Sequence, residues 1–285
     1  MSNKVGLIGH PISHSLSPTI HQSAFDEQQL DWSYELFPID PQGFDMDIEQ
    51  IKKSGIRGFN ITAPYKQMIV PHLQQCDEIS TLLGAVNTAY INKEGEWCGT
   101  NTDVIGLRRV LDELNIDNQS VDHVTVLGNG GVARAVLSVL NDLAIETIVV
   151  LARDQRKSLA LIDIFSGRNP KWKEIRTRAI SEENIQEELL NSQLIINAST
   201  VGMNHNDLKS FFSDRSKIPE SLMYLDLVYN PLETEMMKQV KRAGGKAWNG
   251  IDMLIYQAAA SYQIWTGMEA PINVMKEAVL RRIIQ

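Results

Sequence analysis

The chain has 285 residues and only two cysteines, Cys76 and Cys98. Neither stands in a CxxC or Cys/His spacing, which fits a reducing compartment better than a disulfide framework or a zinc site. No apolar run approaches the roughly 18 to 20 residues that a membrane span needs. The opening MSNKVGLIGHPIS carries an apolar run of five residues, too short for a signal-peptide core. A surplus of base is also missing: 27 basic side chains face 35 acidic ones, for a net charge of −8. That argues against nucleic acid, whose binders present a basic excess or a basic face. Repeats and low-complexity tracts are absent as well. The expectation is a cytoplasmic protein that meets small molecules, with no metal, membrane or nucleic-acid partner.

What is present is an ordinary core-forming composition, 43% apolar and 22% charged, in a length that suits one large domain or two ordinary ones. In the first hundred residues short apolar runs alternate with helical patterns. Strands are expected at Val5–Gly9, Trp32–Pro38, Ile56–Ile61 and Val86–Ile91, and helices at Pro18–Gln29 and Pro41–Ser54. Such alternation predicts parallel pairing with helices on the faces. A second block starts near Val121, where VDHVTVLG ends in the turn GNGG. Val132, Ala135, Val136, Val139, Leu140 and Leu143 then form one helical stripe. Buried strands follow at Glu146–Ala152, Gln193–Ala198 and Met223–Tyr229, with a helix from Pro231 to the stop at Gly244-Gly245. This is the pattern of a doubly wound, mononucleotide-binding sheet. Two final helices, Asp252–Trp265 and Asn273–Ile284, have no strand partner in sequence. They are expected to return to the first domain. The division is therefore 1–103 completed by 251–285, with 104–250 between.

The glycine turn reads Gly128-Asn129-Gly130-Gly131-Val132-Ala133-Arg134. Between a strand and a helix, such a turn lets the backbone approach a pyrophosphate and offers it the free N–H groups of a helix start. An ordinary strand–helix turn needing positive φ is the plainer alternative. An NAD site carries an acid about 20 residues further on, for the ribose 2′-hydroxyl. Here that place reads Ala152-Arg153-Asp154-Gln155-Arg156-Lys157. Three cations suit a 2′-phosphate. Asp154 either accepts from a 2′-hydroxyl, repels a phosphate or caps the next helix. NADP is favoured and NAD remains open.

Polar clusters also close several strands of the first block: Asn60, Thr62 and Lys66 in FNITAPYK, Asn87 in GAVNT, and Asp103 in GTNTD. Singly they read as turn chemistry, a solvated lysine and a helix cap. Together, at strand ends beside a nucleotide domain, they read as a ligand site. The loop GHPISHSLSPTIH adds hydroxyls with no arginine or acid. Ser15 and Ser17 alternate, so on an extended turn both hydroxyls can point the same way. His14 and Ser13 read as turn structure.

With NASTVGM, DLVYNPLET, NGIDMLIYQAA and SYQIWTG added, the chain resembles the shikimate dehydrogenase family over nearly its whole length. The resemblance implies a discontinuous α/β substrate-binding domain and a Rossmann-type NADP-binding domain. It implies reversible NADPH-dependent reduction of 3-dehydroshikimate to shikimate, in aromatic amino-acid biosynthesis, by a monomer or homodimer. Ser15 and Ser17 would hold the substrate carboxylate with Tyr229 nearby. Asn60, Thr62, Asn87, Asp103 and Gln257 would surround the ring hydroxyls, and Lys66 and Asp103 would be the catalytic pair. Gly128, Asn129, Gly130, Gly131 and Val132 would hold the pyrophosphate. Ala152, Arg153, Asp154 and Lys157 would take the adenosine side, Leu227 and Gly250 the nicotinamide, and Glu78 the cofactor side. The chain departs from the family in two places: Ala152-Arg153-Asp154 replaces Asn-Arg-Thr, and Asn129 stands where alanine is usual. Two alternatives remain: a quinate/shikimate dehydrogenase using NAD, and a ligand-binding regulator without turnover. The presence of both Lys66 and Asp103 speaks against the regulator.

Overall fold

The apolar runs of the first hundred residues become the strands of one sheet, and those beyond residue 120 become a second. The computed structural model describes residues 3–116, 121–203, 210–213 and 217–284. Two compact units emerge, Met1–Gly106 with Ile255–Gln285, and Leu107–Leu254. Among the described residues, no helix is long and apolar enough to cross a membrane, and no His/Cys/Asp/Glu group is arranged to hold a metal ion.

The first unit contains β1 (Asn3–Gly9), α1 (Ser17–Glu27), β2 (Trp32–Pro38), α2 (Phe44–Lys53), β3 (Gly58–Ile61), β4 (Gln75–Cys76), α3 (Glu78–Leu83), β5 (Thr88–Ile91) and β6 (Trp97–Thr100). Its sheet runs β2-β1-β3-β5-β6-β4. All-parallel pairing, expected from the alternation, is not what forms: β5 is antiparallel to both β3 and β6. For β5 and β6 the reason is local. Asn92 Oδ1 accepts the N–H groups of Glu94 at 3.0 Å and Glu96 at 2.9 Å, which closes a hairpin too short for the crossover that parallel strands require. Ile8, Phe44, Ile48, Phe59, Tyr65 and Trp97 are buried together as the core on one side of this sheet.

The chain then passes through α4 (Thr102–Glu113) into β7 (His123–Leu127), α5 (Gly131–Asn141), β8 (Thr147–Ala152), α6 (Gln155–Asp163), β9 (Glu174–Ala179), α7 (Glu182–Asn191), β10 (Leu194–Asn197), β11 (Met223–Asp226), α8 (Glu235–Arg242) and β12 (Lys246–Trp248). All of these strands pair in parallel, in the order β12-β11-β10-β7-β8-β9. Strand order reverses between β7 and β10, and ligands of doubly wound sheets bind at the strand carboxyl ends at that point. The expected helix start at Pro231 is displaced to Glu235, because Thr234 takes the N-cap position, accepting from Met237 N.

Two helices complete the chain, α9 (Ile251–Thr266) and α10 (Ile272–Ile284). Within the first unit α10 packs against α1. Trp265 Nε1 donates to the Ala89 carbonyl at 3.1 Å, and the Tyr262 hydroxyl donates to Gln28 at 2.6 Å.

Candidate active site

Lys66 follows β3 in a turn that its neighbour anchors. Tyr65 is fully buried, its hydroxyl donates to the Ile39 carbonyl at 2.6 Å, and its ring stacks on Phe44. The Lys66 carbonyl accepts Val86 N–H at 2.8 Å, which ties this turn to the segment before β5. Asp103 lies in the first turn of α4. Lys66 Nζ donates to Asp103 Oδ2 at 2.6 Å, with the two side chains 17% and 10% exposed. The pair is thus mostly enclosed yet still reachable, as a proton-transfer group must be.

The other Asp103 oxygen accepts from Asn87 Nδ2 at 2.8 Å. The Asn87 amide has one orientation available. Its Oδ1 accepts Thr102 N–H at 2.7 Å, Thr102 Oγ1 at 3.1 Å and Thr88 Oγ1 at 3.1 Å. A backbone N–H only donates, so oxygen must face Thr102 and nitrogen must face Asp103. Beneath, Asn60 Nδ2 donates to Thr88 Oγ1 and Ser261 Oγ, each at 3.0 Å, and Asn60 Oδ1 accepts the Tyr34 hydroxyl at 2.8 Å. Asn60, Asn87, Thr88, Thr102, Asp103 and Ser261 are all buried. Their network fixes the carboxylate before any ligand arrives.

Tyr34, Thr88, Thr102, Ser261 and His21 are the members that sequence reasoning missed. Thr88 and Thr102 sit inside the quoted motifs beside named residues, which was the available signal. His21 and Ser261 also sit inside quoted motifs, GHPISHSLSPTIH and SYQIWTG, whereas Tyr34 lies in an apolar-patterned segment that marks it only as core. His21 stacks on Tyr34, with ring centroids 4.5 Å apart. Burial lowers its pKa from 6.5 to about 3, against a smaller upward pull from Asn60. Burial likewise raises the Tyr34 phenol, with the Ser17 side chain beside it opposing the shift.

Ser15 and Ser17 are half-buried at the start of α1. Leu16 between them is helical, with φ −85° and ψ −7°, so the extended turn expected from their alternation is not present. Instead Ser17 N–H donates to Ser15 Oγ at 3.2 Å, which places the Ser15 hydroxyl at the start of α1. Thr62 follows β3, its N–H bonded to the Ile8 carbonyl at 3.0 Å. Gln257 stands one turn before Ser261 on α9, and the Ser261 hydroxyl donates to its carbonyl at 3.0 Å. Residues four apart share a helix face, so Gln257 lies on the face that bonds Asn60. Glu78 is exposed in the first turn of α3, behind its cap Asp77, where an acid favours the helix dipole.

In the second unit, Gly128 ends β7 with φ +102°, a conformation that suits glycine. Gly130 caps α5 without a side chain, and the first turn of α5 holds no acid. A Cβ built on Gly130 meets nothing within 4 Å. Open space before an uncapped, acid-free helix start fits a pyrophosphate. Val132 belongs to the same turn, and Asn129 points across it to Asp154. Ala152 ends β8 and is buried, while Arg153 and Lys157 are exposed. Asp154 is the N-cap of α6, accepting Lys157 N–H at 3.1 Å.

At the end of β11, Asp226 is fully buried. It accepts from Asn197 at 2.9 Å, Thr234 at 2.7 Å, Tyr224 at 3.2 Å and Val228 N at 3.1 Å. Burial pushes its carboxyl up despite these donors. Leu227 and Tyr229 leave this hub, and burial raises the Tyr229 phenol. Gly250 N–H donates to the Val228 carbonyl at 3.0 Å. A Cβ at Gly250 would overlap the Leu227 carbonyl, so the close approach of these two segments requires glycine.

A family model described as shikimate dehydrogenase substrate binding domain matches residues 7–89. Another, described as shikimate 5′-dehydrogenase C-terminal domain, matches residues 250–280. A shikimate dehydrogenase (NADP(+)) of Methanocaldococcus jannaschii is 38% identical over 281 residues, 98% of this chain and 96% of that protein. A crystal structure of a shikimate dehydrogenase in complex with NADP+ superposes with a TM-score of 0.87 at 35% identity, over 100% of this chain and 96% of that one. The quinate dehydrogenase of Corynebacterium glutamicum in complex with NAD gives a TM-score of 0.87 at 29% identity, over 98% and 99%.

Proposed function

This chain belongs to the shikimate dehydrogenase family, and from that premise we propose that it reversibly reduces 3-dehydroshikimate to shikimate with NADPH. The observation that carries the reading is the enclosed Lys66–Asp103 pair at 2.6 Å, with Asn87 holding the second carboxylate oxygen. Residues 1–103 with 251–285 form the substrate-binding domain, and residues 104–250 the cofactor domain. The enzyme is cytoplasmic, acts as a monomer or homodimer, and has no nucleic-acid partner. Its product belongs to aromatic amino-acid biosynthesis.

The backbone of the turn Gly128–Val132 would hold the cofactor together with Ala152, Arg153, Asp154, Lys157, Leu227, Gly250 and Glu78, and NADPH would supply the hydride when bound. The chain supplies position and a proton. Ser15 and Ser17 donate to the substrate carboxylate, so a small acid is recognised by neutral donors, and Tyr229 is a further substrate-binding residue. Asn60, Thr62, Asn87 and Gln257 bond the ring hydroxyls and turn the ketone toward Lys66. As the carbonyl carbon gains a hydride, its oxygen gains negative charge, and the Lys66–Asp103 pair delivers a proton there to give the alcohol. In the reverse direction the pair takes that proton.

Initial rates with NADPH and NADH at matched concentrations, each on 3-dehydroshikimate and 3-dehydroquinate, test the proposal. The fastest combination is expected to be NADPH with 3-dehydroshikimate. Faster reduction of 3-dehydroquinate with NADH would move the assignment to a quinate dehydrogenase, the second reading, which the likeness to the Corynebacterium glutamicum protein supports. Shikimate binding by calorimetry without turnover would make the protein a regulator.

A further inference from the structure

Asn129 does not direct its side chain at the space before α5. Its Nδ2 donates to the Asp154 carbonyl at 2.8 Å and to Ser158 Oγ at 2.9 Å. Both partners belong to the junction of β8 and α6, where only Arg153 and Asp154 separate strand from helix. From the opposite side Gln155 Nε2 donates to the carbonyls of Ala152 at 2.6 Å and Arg178 at 3.0 Å, and Gln155 Oε1 accepts from Thr177 at 3.0 Å. The junction is therefore clamped between the glycine turn and β9. Within it, the Asp154 carboxylate is turned into α6 as a cap, with Lys157 Nζ 4.0 Å from its Oδ2. Arg153 is exposed and makes no hydrogen bond or ion pair among the described residues.

We infer that Asn129 is a specificity-determining positioning residue, which selects a ribose 2′-phosphate over a 2′-hydroxyl by locking this junction. The inference rests on the cofactor reading above and adds a residue that acts through others. By holding the Asp154 peptide, Asn129 keeps the acid facing the helix and leaves Arg153 as the group presented to the ligand. Without that bond, the Asp154 peptide retains Ser158, whose hydroxyl and N–H each reach its carbonyl at 3.2 Å. The carboxylate is then freer to swing outward, where it repels a phosphate dianion and accepts from a 2′-hydroxyl. The effect therefore has a sign: NADP binding suffers and NAD binding does not.

Calorimetric titration of the full chain with NADP+ and with NAD+ reads this without reference to turnover. Asn129→Ala is expected to weaken NADP+ by about three- to tenfold, the range of one net hydrogen bond, and to leave NAD+ unweakened. Asn129→Asp, equal in size but unable to donate to a carbonyl, is expected to shift the NADP+/NAD+ ratio further in the same direction. Thermal melting of each variant confirms that it is folded. Equal losses for both cofactors, an unchanged ratio, or a wild-type protein without preference for NADP+ would each overturn the inference. A wild-type protein that prefers NADP+ yet oxidises no shikimate would remove the enzymatic reading and leave this one standing.

Discussion

Lys66 carries the sharpest prediction at the scale of the residue. Lys66→Ala removes a proton donor and is expected to lower kcat by about 10²- to 10⁴-fold, with a much smaller rise in KM. Steady-state kinetics that return near-normal turnover would take Lys66 out of the chemistry. His21 supplies a pH-dependent one. Its folded pKa lies near 3 against an ordinary 6.5. Below about pH 6.5 the unfolded chain takes a proton that the folded chain refuses, so stability falls as pH drops through the window from 6.5 towards 3. Between about pH 7 and pH 5 this group contributes a loss of about 2 kcal/mol. In urea unfolding, His21→Phe keeps the stack on Tyr34 and is expected to lose that much less over the same interval. Equal pH dependence in the two proteins would show that His21 is not held neutral. Lys66 and Asp103 were legible in the sequence because their motifs are polar where a strand ends. His21 and Ser261 were not, since a polar residue on a helix's apolar face shows its partners only after folding.

Among the elements, legibility followed apolar content. Thr147–Ala152 is a run of buried apolar residues behind Thr147, and β8 has those bounds. The missed strand β9 reads EIRTRA at a sheet edge, where no apolar period marks it and where Arg176 and Arg178 find the buried Glu188 of α7 only in the folded chain. The two-residue β4 and three-residue β12 are too short for any period. The start of α8 went astray because Thr234 caps it while also donating to Asp226, a pairing across eight positions. The junction of β11 and α9 offers the test for this scale. Gly250→Ala drives a methyl group into the Leu227 carbonyl and is expected to cost about 1 to 3 kcal/mol, the usual range for overpacking. Thermal melting measures the loss, and an undiminished melting temperature would mean that the Leu227 segment yields freely.

For the whole molecule, the discontinuous unit makes the distinctive claim. α10 packs on α1, Met275 and Val279 are buried, and Ser261 bonds the buried Asn60. Leu107–Leu254 is an uninterrupted segment with its own core. Ending the chain after Leu254 is therefore expected to abolish shikimate binding and hydrogen-exchange protection in residues 1–106, while NADP+ binding persists. Retained protection there would show that the first unit closes its core without the last two helices.

The sequence by itself determined the alternation of strands and helices, the glycine turn after β7, and the places of Lys66 and Asp103 beyond the ends of β3 and β6, whereas Asn87, expected to close a strand, stands just before β5. Those three features are written in local pattern and composition. Only the tertiary structure decided that Thr88 and Thr102 hold the Asn87 amide in one orientation, that Ser261 reaches Asn60, and that Asn129 reaches Asp154. Those outcomes depend on hydrogen bonds between residues as far apart as Asn60 and Ser261. A bond of that kind forms only when burial has removed water as the competing partner.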